Sequence, residues 1–154
     1  MRINSSLAVV AVVVLSIGAG AARAVSGPGA NDNSKFVYTE AVDQVANNLT
    51  ITFSEGGQKR FASVDYQATG QAETTQVLSG GQVVKQLLFP DPALIVLSPD
   101  ADGRASGSTT LVVNPGPSPC LCGGSFRIDY TNVVLTNISS GHVYRLADVS
   151  LSSP

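Results

Sequence analysis

Tryptophan is absent from the 154-residue chain, and histidine and methionine occur once each. With His142 the only imidazole, a Ser-His-Asp set has a single place to form. The Gly-x-Ser-x-Gly nucleophile pattern does not occur; Gly103-Arg-Ala-Ser-Gly107 comes nearest and sets Ser106 beside its last glycine, off the nucleophile position. One histidine and two cysteines cannot surround a zinc ion without distant carboxylates. Lack of tryptophan removes a common sugar-stacking face, leaving Tyr38, Tyr66, Tyr130 and Tyr144, which on strands serve more often as half-buried packing residues. Charge is sparse, at 13% of residues, and the only adjacent basic pair outside the leader is Lys59-Arg60. Such a chain offers no electrostatic footprint for nucleic acid. Sustained helical periodicity is missing as well.

What is present begins with a leader. Arg2 precedes an uncharged run from Leu7 that reaches Ala22 through small residues, and Ala22-Arg23-Ala24 closes it. A basic start, a short apolar middle and a small-x-small end form the pattern of a cleavable secretory signal. The 16 residues from Leu7 to Ala22 fall short of the roughly 20 a membrane-spanning helix needs. Cleavage after Ala24 is therefore expected, with residues 1–24 a signal peptide, 25–34 a flexible lead-in and 35–154 a single β-rich domain. Arg2 and Arg23 leave with the signal, so nine basic residues become seven against eleven acids, a mature net charge of 7 − 11 = −4. The expectation is a secreted or extracytoplasmic protein with no membrane insertion after cleavage.

From Phe36 onward the period is two. Phe36, Tyr38 and Glu40 alternate with Val37 and Thr39; Leu49, Ile51 and Phe53 alternate with threonines; Val64, Tyr66 and Ala68 do the same. Alternation of this kind puts one strand face on a core and the other in water. Val, Thr, Ser and Gly dominate, and Gly or Pro punctuates the chain at near-regular intervals. The pattern predicts an all-β fold, an antiparallel sandwich or barrel of about eight to ten short strands. Strand ends are expected near Gly70 and between Thr131 and Asn132, and Ser98–Gly107 is read as a loop. In the final run, Val143, Ala147, Val149 and Leu151 are placed on one face, with Tyr144 and Leu146 opposite.

Four features invite chemistry. Cys120 and Cys122, between Pro119 and Gly123-Gly124, are expected to form a local disulfide in an oxidising compartment, its small ring limiting the stabilisation it supplies. Asp100-Ala-Asp102-Gly103 resembles the start of a calcium loop but lacks a third spaced oxygen ligand and a closing glutamate, so a bare turn is expected and no metal site is assigned. Glu40, Glu55, Asp65, Glu73, Asp129 and Asp148 fall on predicted strands, where two could in principle approach as a hydrolytic pair. Asn48-Leu-Thr50 and Asn137-Ile-Ser139 match the glycan acceptor pattern. His142 follows a predicted hairpin turn, an exposed place, and no catalytic residue is assigned. No cofactor is implied.

The expected function is thus that of a secreted, non-enzymatic module binding an extracellular or cell-surface partner by its surface. The alternatives are a small secreted hydrolase using strand carboxylates, and a β-barrel carrying a ligand.

Overall fold

The computed structural model describes residues 17–20, 23–25, 36–43, 47–113 and 125–153. The lead-in from Ser26 and both cysteines, Cys120 and Cys122, lie outside the described residues. No helix occurs among those described. Eleven strands form: β1 (Ile17–Gly20), β2 (Arg23–Val25), β3 (Phe36–Val42), β4 (Leu49–Glu55), β5 (Val64–Val77), β6 (Val83–Leu88), β7 (Ala93–Leu97), β8 (Ala105–Leu111), β9 (Ser125–Asn137), β10 (His142–Arg145) and β11 (Val149–Ser153). The first two fall within residues 17–25, where no strand is expected; the remaining nine lie in the domain expected at 35–154, for which about eight to ten are predicted.

Two antiparallel sheets result. One has the order β1-β3-β4-β8; the other runs β2-β10-β9-β5-β6, with β11 on β9 and β7 on β5. The second sheet is organised around two long neighbours, β5 and β9, each flanked on its outer side by a broken partner strand. Along β5 lie β7, opposite Val64–Ala68, and β6, opposite Ala72–Val77. Along β9 lie β11, opposite Phe126–Tyr130, and β10, opposite Val134–Asn137.

These two strands correct the expected breaks at Gly70 and Asn132. The chain does not turn there: both sit where the β5–β9 register shifts, between Thr69 and Gln71. Asn132 takes a positive φ of 53° and its amide donates to Gln71 Oε1 at 3.0 Å. A bulge inserts an extra residue and bends a strand without ending the ladder, and Gly and Asn tolerate the required backbone. Position β8 is a second correction. It starts at Ala105, inside the stretch read as loop, because Ala105, Gly107 and Thr109 pair with Glu55, Phe53 and Ile51 of β4.

One core fills the space between the sheets. Tyr38, Leu49, Ile51, Phe53 and Leu111 face Val64, Tyr66, Ala72, Ile128, Tyr130, Val133, Leu135 and Tyr144. Aromatic rings bridge the layers: Phe36 lies flat on Tyr144 with centroids 3.8 Å apart, and Phe53 tilts against Tyr66 at 4.7 Å. Inward alternation of Tyr38, Leu49, Ile51, Phe53, Val64, Tyr66 and Ala68 is as expected. The final run is not, since Tyr144, Leu146 and Val149 are all buried. The intervening Ala147 and Asp148 belong to neither β10 nor β11, so the alternation restarts one residue out of phase.

Candidate functional site

The inward face of β4 does not stop at Phe53. Glu55, its last residue, keeps the same phase and lies in the core with no exposed surface. Both carboxylate oxygens are fully engaged by the opposite sheet. Tyr66 Oη of β5 and Asn137 Nδ2 of β9 each donate to Oε2 at 2.7 Å. On Oε1, Tyr144 Oη of β10 donates at 2.5 Å and His142 Nδ1 at 2.6 Å. A carboxylate can only accept, so His142 carries its proton on Nδ1. Burial, helped by the hydrogen bond to Glu55 and its charge, pushes the Tyr66 phenol well above its ordinary pKa, which keeps it a donor. One carboxylate on one sheet thus collects four donors from three strands of the other. Left unmet, such a charge would cost several kcal/mol; with its lone pairs filled, it fixes the position of one sheet on the other.

The expectation of an exposed, unoccupied His142 is corrected here: its side chain is 12% exposed and its Nδ1 is committed to Glu55. The ring's Nε2 has no hydrogen-bond partner among the described residues. A histidine oriented by a carboxylate is the unit used by general bases and metal ligands alike. Among the described residues no group of three or more His, Cys, Asp or Glu is placed to hold a metal ion.

The other carboxylates are dispersed. Glu73 pairs with Lys85 at 2.8 Å on the outer face, and Asp129 with Arg127 at 2.7 Å and with the Ser150 hydroxyl. Asp65 is exposed and uses its backbone to hold the turn after β9, through Ile138 and Ser139. Glu40 is the second inward carboxyl of the first sheet. It pairs in register with Ile51, four residues before Glu55 on β4. At about 3.3 Å per residue, the two are roughly 13 Å apart along the strand, beyond the span of a glycosidase pair. Burial, and then the charge of Asp148, raise the Glu40 carboxyl to about 7.

Asp100 and Asp102 close their own loop. Asp100 Oδ1 accepts from the backbone N–H of Asp102 at 3.0 Å and of Arg104 at 2.8 Å, an Asx-type staple in which the carboxylate substitutes for a backbone acceptor. Of the two glycan acceptor sequences, Asn137 is buried with its amide nitrogen on Glu55, so a glycan there and this cluster are mutually exclusive. Asn48 accepts from Val113 N–H through its side-chain oxygen, at 3.1 Å.

The surface carries one concentration of apolar side chains, which composition alone did not locate. Of the nine large hydrophobic residues exposed among those described, six lie between Val83 and Val96: Val83, Val84, Leu87, Phe89, Leu94 and Val96. They belong to β6, β7 and the connection over residues 89–92, which together form the outer edge of the second sheet. Register assigns them to faces. Leu87 and Val96 stand beside Glu73 and Asp65 on the outer face, while Val84 and Leu88 stand beside Gln76 and Ala72 on the inner one. Strand β7 is backed by β8, where Gly107 lets Leu97 and Ile95 approach so closely that a Cβ would lie 2.7 Å from Leu97 Cδ2. Strand β6 has no such backing and is exposed on both faces. The signal in the sequence was Val83-Val84, Leu87-Leu88-Phe89 and Ala93–Leu97, apolar at consecutive positions where a half-buried strand would alternate.

Comparison with known proteins leaves the reading to this geometry: no protein-family model matches the chain, and no curated protein matches it.

Proposed function

We propose that the mature chain is a secreted, non-enzymatic β-sandwich module that acts by its surface, through the apolar arm from Val83 to Leu97, on an extracellular or envelope-associated partner. The carrying observation is the arm itself: Leu94 is 68% and Phe89 66% exposed, on a sheet edge whose backbone is unpaired on its outer side among the described residues. Isolated apolar residues on a surface need no explanation, but a contiguous patch on an open edge marks an interaction site. The leader supports export, and the filled core favours a module over a ligand-carrying barrel. The hydrolase reading retains one observation, Glu40 beside Asp148, but Glu40 is 5% exposed and turned into the core, where substrate does not reach it.

Fractionation of producing cells tests the proposal, comparing the wild type with Leu87→Lys/Leu94→Lys. Both substitutions are on exposed side chains and should leave the melting temperature unchanged. The wild type is expected with the envelope fraction or in complex, and the double variant free in the medium. An identical distribution of the two would remove the arm as the binding surface.

A further inference from the structure

Alternation along β3 carries Glu40 inward with Tyr38, against Ile51 of β4. The residue is 5% exposed, and its Oε1 is buried without a hydrogen-bond partner. Gln58 and Gln76 hold the other two such oxygens among the described residues, and both are neutral amides. Protonation removes the charge on Glu40 and still gives Oε1 no partner. Buried charges are ordinarily paired with a counter-charge or bound to a metal ion. Glu55, Glu73 and Asp129 have His142, Lys85 and Arg127, but among the described residues no basic side chain pairs with Glu40.

What Glu40 meets instead is a second acid. Tyr38 Oη accepts from the Ala147 N–H at 3.1 Å, which holds the connection between β10 and β11 against this part of β3. Asp148 follows on that connection, exposed, and its carboxylate is the charge that acts on Glu40. Val149 then turns back into the core. We propose that Glu40 and Asp148 bind a divalent cation of the calcium type, at the seam between β3 and the β10–β11 connection. The donors at that seam are oxygens: two carboxylates, the Tyr38 hydroxyl and the carbonyls of a connection that lies outside both ladders. Hard oxygen ligands suit calcium, which takes roughly six to eight of them in loose geometry and counts water among them. With two carboxylates the affinity should be weak, on the order of 0.1–1 mM. The bound ion supplies the partner that Oε1 lacks and turns two repelling acids into a clasp between the sheets.

Thermal unfolding of the protein at pH 8, in EDTA and in millimolar CaCl2, tests this with Glu40→Gln, Asp148→Asn and Asp100→Ala/Asp102→Ala. Calcium should raise the wild-type melting temperature by about 5 °C. It should do the same for Asp100→Ala/Asp102→Ala, and leave Glu40→Gln and Asp148→Asn unmoved. In EDTA, Glu40→Gln should melt above the wild type, so its indifference to calcium is not a loss of fold. Terbium reports binding directly, because the chain has no tryptophan and its tyrosines alone sensitise the ion. Wild-type emission should saturate and be displaced by calcium, with affinity weakened roughly tenfold or more in Glu40→Gln and in Asp148→Asn. A wild type whose melting temperature ignores calcium overturns the site. So does a calcium response that survives Glu40→Gln, or one lost in Asp100→Ala/Asp102→Ala, which would put the ion in the loop after β7.

Discussion

At the residue scale, two glutamates of the first sheet point into the same core and meet opposite circumstances. Glu55 has every lone pair answered, and Glu40 has an Oε1 with no partner. Glu55→Ala removes the acceptor shared by Tyr66, Asn137, His142 and Tyr144 and should cost about 3–5 kcal/mol in urea unfolding. Tyr66→Phe, which removes one hydrogen bond to a charged group, should cost about 1.5–3 kcal/mol. A loss below about 1 kcal/mol for Glu55→Ala would mean that the cluster does not hold the sheets together. Glu40 gives a pH dependence of definite sign. Its carboxyl is raised from 4.5 to about 7 by burial and by Asp148, so the folded state favours the protonated form. That contribution is fully present below about 4.5 and is lost as pH rises to about 7. Glu40→Gln should therefore match the wild type in thermal unfolding at pH 4 and be more stable at pH 8, by roughly 1–3 kcal/mol, since one pKa unit corresponds to about 1.4 kcal/mol. An equal difference at both pH values would show that Glu40 does not titrate in the fold.

At the element scale, period-two alternation was legible wherever a strand has one wet face and one dry. Strands β3, β4 and the first half of β5 follow from it directly. Punctuation was less legible, because glycine and asparagine serve more than one purpose. Gly70 and Asn132 bulge a ladder, Gly107 opens space for Leu97, and Gly81 turns a hairpin; the sequence around each reads as a stop. The polar cluster was half visible. Glu55 shares parity with Phe53, Asn137 with Leu135, and His142 with Tyr144, so the alternation of each strand already carries its polar residue inward. That the four strands bring these side chains to one carboxylate depends on register between segments up to 89 residues apart, which no local pattern carries. The reversal between β10 and β11 is hidden for the same reason: Ala147 and Asp148 are too few to look like a break, yet enough to shift the phase.

At the scale of the whole molecule, the proposed export and the fold meet at the N-terminus. Strand β1 pairs with β3, and β2 with β10, so the segment proposed as a leader supplies one edge strand to each sheet. The proposed cleavage after Ala24 would remove β1 entirely and leave only Val25 of β2. The edge of β3 and the edge of β10 then open, yet the packing that ties the sheets together lies elsewhere: the described core runs from Tyr38 to Val149, and the Glu55 cluster draws on β4, β5, β9 and β10. Two strands of four and three residues at the periphery contribute little beside these. The chain starting at Val25 should accordingly fold alone, with a β-rich circular dichroism spectrum and a single cooperative thermal transition. N-terminal sequencing of the exported protein should find Val25 first. If the chain from Val25 fails to unfold cooperatively while the full precursor does, β1 and β2 are structural strands, and residues 1–24 are not a removable leader.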